Sequence, residues 1–355
     1  MYKIEHYRNS WQHKDFNVFI DQYNGEGALY GWMVPLSENQ WSIEVSDEKD
    51  IVYGCIQHSL FRPKLGASYP SVKNATSCGF MVNLNQLDGN KHYKILMRNS
   101  YGESVTIARF ANEPPLLYVH IAKTAGSTIN NVVSSWFEEK QSLIHVESKS
   151  DWSDYVNTHY VKFLSGHRPY KEFIKNDIVK SLYNKAISFR EPYAHVISHI
   201  AWIRALAESE NKDRFLAHPK YIQDLSVKLS NSDLSCAVEL KNLIANLNTH
   251  EFRLLDNCQL RYIRTAIEKE NVDETDITDS IENLKDFDFV GDDSNVSGFL
   301  SKIANRYGIN YSITDRRDNV LSQKFGLDIR DEEIRAALHP LIQHDLELYK
   351  YIRGS

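Results

Sequence analysis

Three short stretches carry residue types that can hold an anion or move a proton. In the first, Lys123-Thr124-Ala125-Gly126-Ser127-Thr128 follows the apolar run 116–121 and precedes a helix-like segment. At a helix start the first backbone N–H groups lack intrahelical acceptors and the macrodipole is positive, so a phosphate-like dianion can be held there. Gly126 permits a close backbone approach, Ser127 and Thr128 offer hydroxyls, and Lys123 can reach over the anion. The fragment equally fits a capped helix whose lysine is merely solvated. It is not a GxxxxGK[ST] loop, because the lysine precedes the glycine, which disfavours ATP hydrolysis. In the second stretch, SFREPYAHVISHI (188–200), a strand ends at Arg190 and Pro192 suits the first turn of a helix that carries Ser198. The third, FLSGHRPYKEF (163–173), places Gly166-His167 after a strand. An imidazole, with an unperturbed pKa of ~6.5, is suited to taking a proton from a hydroxyl near neutrality. Most of the 14 histidines will be structural or solvated; His167 stands out by its place at a strand end, whereas His195 and His199 are expected on the helix surface or behind the site.

The elements that must position these residues alternate from 116 onward. Strands are expected at 116–121, 161–165, 185–189 and 287–290, and helices at 126–139, 192–208, 236–248, 257–269, 297–307 and 331–352. This is the α/β pattern of a largely parallel sheet covered by helices. The helical stretch 205–255 is a candidate lid or acceptor-side insertion. Residues 1–112 differ: short aromatic and β-branched runs (ALYGWMV, QWSIEV, DIVYGCI, CGFMVNL, HYKILMRN, SVTIARF) separated by turn signals suggest a small antiparallel β-sandwich. Pro114-Pro115 marks the boundary, giving a domain at 1–112 and another at 116–355.

Composition bounds the partners. The 355 residues are 42% hydrophobic and 25% charged, and 41 basic against 47 acidic side chains leave a net charge of −6. Such a chain is not a polycation built for nucleic acid or an acidic membrane, so any anion site must be local. Cys55, Cys78, Cys236 and Cys258 are widely spaced without a CxxC pair, which signals neither zinc nor a disulfide framework and fits a reducing cytoplasm. The N-terminus has no apolar leader, and no stretch approaches the ~20 apolar residues of a membrane helix. With no HExxH and no carboxylate cluster at a metal spacing, no metal is expected.

The KTAGST stretch closely resembles the 5′-phosphosulfate loop of sulfotransferases that use 3′-phosphoadenosine 5′-phosphosulfate (PAPS), with Ala122 where proline is usual. The family's 3′-phosphate motif is similar to Arg190…Ser198, with Glu191 in place of an aspartate. The resemblance implies a charge-assisted contact from Arg190 to the 3′-phosphate and a supporting hydroxyl bond from Ser198. Gly166-His167 is similar to the position of the catalytic base in the uronyl 2-O- and glucosaminyl 6-O-sulfotransferase group. Asn257-Cys258-Gln259-Leu260-Arg261, Phe287-Asp288-Phe289-Val290-Gly291 and HDLELYKYI (344–352) resemble later family elements, so the likeness spans about 116–352. Arg261 is thereby a candidate for approaching the nucleotide, or equally an ion-pair partner on its helix.

The resemblance implies a P-loop-NTPase-like sheet, PAPS as donor and PAP as product, with the 5′-phosphosulfate held by Lys123, Thr124, Ala125, Gly126, Ser127 and Thr128. Lys123 and His167 are the expected catalytic pair. Gly31-Trp32, Leu60-Phe61-Arg62-Pro63 and Gly79-Phe80 resemble marks of a β-sandwich module found beside bacterial glycan-building enzymes, although they also fit an ordinary sandwich core. They tip the acceptor toward a glycan hydroxyl in a bacterial cytoplasm. The alternatives are a nucleotide-dependent kinase using Mg²⁺ on Asp286, Asp288, Asp292 or Asp293, and a PAP-binding glycan-binding protein without turnover. Arg316, Arg317 and Asn319 form either an acceptor loop or a solvated turn.

Overall fold

Long apolar runs between Pro115 and Arg190 imply strands covered on both faces, as parallel strands are. In the computed structural model, which describes residues 3–6, 10–21, 28–47, 50–56, 59–88, 91–111, 114–312 and 325–354, Leu116–Val119, Phe163–Gly166 and Asn184–Phe189 are buried at every position. They form a wholly parallel five-stranded sheet in the order Ser142–Leu143, Phe163–Gly166, Leu116–Val119, Asn184–Phe189, Phe289–Asp292. The first strand of the five therefore lies at the centre. Helices Gly126–Ser134 and Val296–Arg306 cover it through Ile129, Val133, Phe299 and Ile303, which pack with Leu116, Tyr118 and Phe163.

The chain divides into two units. The first comprises Met1–Pro115 together with Asp151–Lys162 and Asn176–Tyr183; the second comprises Leu116–Ser150, Phe163–Lys175 and Asn184–Ser355. The change at Pro115 coincides with the Pro-Pro pair, but two later segments return to the first unit. They carry the short helices Trp152–Thr158 and Asp177–Leu182. Asn176 joins them: its carbonyl oxygen caps the second helix at Val179, and its amide donates to Ser153 and to Asn157.

Within the first unit the alternation expected of half-buried strands is present, for example over Phe16–Ile20. Two antiparallel sheets, one running Lys3–His6, Ser104–Ala111, His92–Asn99, Trp41–Asp47, Val52–Ile56 and the other Ser10–Gln12, Phe16–Ile20, Ala28–Pro35, Gly79–Asn83, share one core. It contains Phe16, Val18, Leu29 and Met33 from one sheet and Ile43, Tyr93, Ile95 and Phe110 from the other. The Gly-Trp, Leu-Phe-Arg-Pro and Gly-Phe marks meet here. Gly31 pairs with Phe80, Trp32 with Gly79, and Leu60 bridges to Gly79. A Cβ on Gly31 would stand 2.4 Å from the Phe80 ring, and one on Gly79 2.7 Å from the Leu60 carbonyl oxygen. Arg62 forms an ion pair with Asp21.

In the second unit the stretch 205–255 is a packed helical layer. Ile222, Leu225, Leu229, Leu240, Ile244 and Leu255 share a buried cluster with Val196, Ile200 and Ile203 of the helix Pro192–Ala205. Several expected helices are shorter than their patterns: 126–139 ends at Ser134, 192–208 at Ala205 and 236–248 at Ala245, and two more are cut for visible reasons. The segment 331–352 is interrupted at His339–Leu341, where Pro340 lacks the N–H a helix needs, leaving Glu332–Leu338 and Gln343–Gly354. The 257–269 helix stops at Ile263, because Arg264 turns inward and donates to the carbonyls of Asn271 and Lys269. The helix Cys258–Ile263 and the helix Gln343–Gly354 cap each other: the Asn257 side-chain oxygen accepts from the N–H groups of His344 and Asp345, and the Asp345 carboxylate accepts from those of Gln259 and Leu260. No described helix is long and apolar enough to cross a membrane. Arg316, Arg317 and Asn319 lie outside the described residues.

Candidate functional site

In open parallel sheets, ligands bind beyond the carboxyl ends of the strands, where neighbouring connections diverge. The register brings all three chemical stretches to that edge. Val119 pairs with Gly166 on one side and Ile187 on the other, so His120 and His167 leave adjacent strands together. Their ring centroids are 3.9 Å apart. The strand Asn184–Phe189 runs two residues beyond that pairing, and Arg190 donates to the Lys123 carbonyl at 3.1 Å.

The 120–126 turn is braced from below. Lys123 and Ala125 both adopt positive φ, 69° and 64°, a conformation that costs a residue with a Cβ and marks a loop held by its surroundings. Thr124 is buried: its hydroxyl donates to the Ile121 carbonyl at 2.9 Å, and the Ser188 hydroxyl donates to the Thr124 carbonyl at 3.0 Å. Thr124 is thus a brace that does not line the cavity. The Ala122 carbonyl meets His195 Nε2 at 2.8 Å. His195 and His199 are buried, 1% and 3% exposed; of the two expected placements, helix surface or behind the site, His195 takes the second, while His199 reaches the cavity wall. Burial pulls the His195 imidazole down to about 4, so at neutral pH it is an uncharged donor to that carbonyl. Gly126 begins the next helix, whose first intrahelical bond runs from Ile129 N–H to the Ala125 carbonyl. A Cβ at Gly126 would lie 1.9 Å from the His120 ring, so glycine here is a matter of space.

His167 is fixed by three contacts. Its backbone N–H donates to Glu147 at 2.9 Å, its ring lies against that of His120 at a 38° tilt, and its Nδ1 lies 2.9 Å from the His120 carbonyl oxygen. A carbonyl only accepts, so Nδ1 carries the hydrogen and Nε2 the lone pair. Burial moves the imidazole below its usual range, against the opposing effect of Glu147. The Lys123 ammonium is likewise lowered, first by burial and then by Arg190 and Arg214. An arriving anion would offset both penalties.

Arg190 is held at its backbone by Gln259 and at its guanidinium by Asp293, with Nε 3.1 Å from the carboxylate. Arg261 donates to the Asp256 carboxylate and to the Glu270 carbonyl, leaving one buried guanidinium nitrogen, Nη1, without a hydrogen bond. Lys123, Ala125, Gly126, Ser127, Thr128, His167, Arg190, Ser198 and Arg261 all line one cavity of about 2220 Å³. That exceeds the few hundred to ~1,000 Å³ of a single small-ligand site and leaves room for two substrates. Its lining carries Lys123, Arg190, Arg214, Arg253, Arg261 and Arg264 against the carboxylates Glu147 and Asp293. Of these cations, Arg190, Arg261 and Arg264 are paired with Asp293, Asp256 and Asp276.

The sequence did not single out His120, His145, Glu147 or Gln259. His120 immediately follows the central strand, and Gln259 falls inside the Asn257–Arg261 stretch; those positions are the signals that would have found them. His145 and Glu147 follow a two-residue strand too short for a periodic signal.

No protein-family model matches this chain, and no curated protein matches it in sequence. Among solved structures, a β-glucuronidase from Ruminococcus gnavus in complex with a C6-substituted uronic isofagomine aligns at 11% identity and a TM-score of 0.17, over 67% of this chain and 41% of that one. The chain thus spans about two fifths of that enzyme, and a likeness this weak bears on neither fold nor function.

Proposed function

We propose that the second unit transfers a sulfuryl group from PAPS to a carbohydrate hydroxyl, on a P-loop-like sheet. The observation that carries this reading is the meeting, in one basic cavity, of the Lys123–Thr128 turn, the Arg190 and Ser198 pair, and a His167 whose Nε2 lone pair is set by the His120 carbonyl. The turn and helix start would hold the 5′-phosphosulfate, and Arg190 and Ser198 the 3′-phosphate, with Arg190 shared between Asp293 and ligand. His167 Nε2 takes the acceptor's hydroxyl proton as the new O–S bond forms. The bond between sulfur and the bridging phosphate oxygen breaks, and Lys123 stabilises the negative charge growing on that oxygen. By analogy with phosphoryl transfer, this in-line displacement has a loose transition state in which leaving-group charge is the main electrostatic problem. A cytoplasmic glycan acceptor and a glycan-related role for the first unit belong to the same proposal.

The kinase alternative needs a free carboxylate for Mg²⁺. Asp286 accepts from the Tyr170 hydroxyl, Asp288 from the Lys185 N–H, and Asp292 from Tyr349 and Ser294, while Asp293 pairs with Arg190. Calorimetric titration with PAP, and in parallel with ATP plus Mg²⁺, decides between them. PAP binding that is lost in Arg190→Ala is the expected result; binding of ATP–Mg²⁺ but not PAP overturns it. PAP binding without turnover on any glycan would favour the non-enzymatic alternative.

A further inference from the structure

The short strand Ser142–Leu143 runs parallel to Phe163–Gly166, with Leu143 opposite Leu164. The residues that follow each strand therefore leave the sheet side by side, which puts 145–147 next to 166–167. The approach is close: a Cβ on Gly166 would stand 2.6 Å from Val146 and 2.7 Å from the Glu147 carboxylate. One Glu147 oxygen accepts the His167 N–H at 2.9 Å, and the other meets His145 Nδ1 at 3.2 Å. One donor atom from each of His145, Glu147 and His167 lies within 4.8 Å of the others, and all three side chains line the cavity.

We propose that His145, Glu147 and His167 bind a single divalent transition-metal ion at the edge of the cavity. Two imidazoles and one carboxylate suit zinc, cobalt or nickel better than magnesium or calcium, which prefer all-oxygen shells. His167 has the outer bond typical of a metal-ligating imidazole, because its Nδ1–H is spent on the His120 carbonyl and Nε2 is left to coordinate. A tetrahedral ion with bonds of ~2.0–2.1 Å needs its ligands roughly 3.3 Å apart, so atoms that lie within 4.8 Å of one another must draw in by up to about 1.5 Å. His145, whose side chain is 54% exposed, can swing to do so. Three protein ligands leave a fourth position open toward the cavity. The Nε2 lone pair cannot both hold an ion and take a proton. On the transferase reading, which this last step alone requires, the loaded protein is switched off and a chelator restores it.

The test uses the full chain after chelator treatment. Cobalt is followed by its visible ligand-field absorption and zinc by calorimetry, with PAP titrated separately in metal-free buffer. One ion per chain is expected, with the tetrahedral cobalt band. His145→Ala and Glu147→Gln should each weaken binding at least tenfold, while His145→Ala leaves PAP affinity unchanged. Glu147→Gln, nearly isosteric, guards against a variant that simply misfolds. Absence of the band at millimolar cobalt, or unchanged affinity in both variants, overturns the site and leaves His145 and Glu147 as an ordinary ion pair. A cobalt band without PAP binding sinks the donor assignment alone, and PAP binding without a band sinks only the metal site.

Discussion

The side-chain amide of Gln259 pairs with both backbone polar groups of Arg190: its oxygen accepts the Arg190 N–H at 2.8 Å, and its nitrogen donates to the Arg190 carbonyl at 2.9 Å. The residue assigned to the distal phosphate is thus aimed from behind by a neutral side chain that does not itself line the cavity. Replacing Gln259 with leucine leaves two backbone groups unpaired, at about 1–3 kcal/mol each if they stay dry. The expected outcome is a lower melting temperature and PAP affinity reduced at least tenfold. A variant that unfolds earlier yet binds PAP normally would show that the pairing serves stability alone.

His167→Ala should lower turnover by about 10²- to 10⁴-fold, the usual contribution of a positioned base, with PAP affinity kept. Because burial lowers the His167 imidazole in the ligand-free protein, the acid limb of the kcat/KM profile should lie below the usual histidine range, and the limb of the kcat profile, with the donor anion bound, should lie higher. An acid limb unchanged in the variant would assign that limb to another group. Lys123→Ala should also remove most turnover, at every pH.

Gly126→Ala tests the turn without removing a functional group. The added methyl would lie 1.9 Å from the His120 ring, and overpacking of this kind costs about 1–3 kcal/mol. The variant should melt earlier and lose activity, since the displaced His120 ring stands 3.9 Å from that of His167. Unaltered stability would mean that the helix start relaxes more freely than its buried surroundings suggest.

Burial raises the Asp345 carboxyl from 3.8 to about 7, against the two backbone N–H groups that lower it. The folded chain therefore holds this proton more tightly than the unfolded one. The associated stability is full below about pH 4 and is lost as pH rises through about 7, by up to a few kcal/mol. Asp345→Asn carries no such proton. Thermal melts across pH 4–8 should show the stability difference moving in favour of the variant as pH rises; a flat difference would contradict the assignment.

The parallel sheet was legible because its strands are short, apolar and separated by helical periodicity, and the three chemical stretches sit where those strands stop. Register did the rest: Val119 opposite Gly166 places His120 against His167, a pairing no local pattern announces. The second anion motif stood out through Arg190 and Pro192, but its partner Asp293 lies far along the chain. Long-range braces such as Asn257 with Asp345, and the return of Asp151–Lys162 and Asn176–Tyr183 to the first unit, depend on which surfaces meet. Short helices such as Trp152–Thr158 are too brief to show a period. Glu274–Leu284 was not expected from the sequence either, although it opens on an Asp273–Asp276 capping box.

The reciprocal caps between Asn257 and Asp345 also tie the Arg190 region to the C-terminal end of the chain. Asp345 supports the first turn that carries Gln259, and Gln259 in turn clasps Arg190. A nascent chain that has exposed Arg190 but still holds residue 345 in the ribosome lacks the support of that clasp. On the transferase reading, a chain cut at residue 342 should bind PAP weakly or not at all even though every residue assigned to the nucleotide is present.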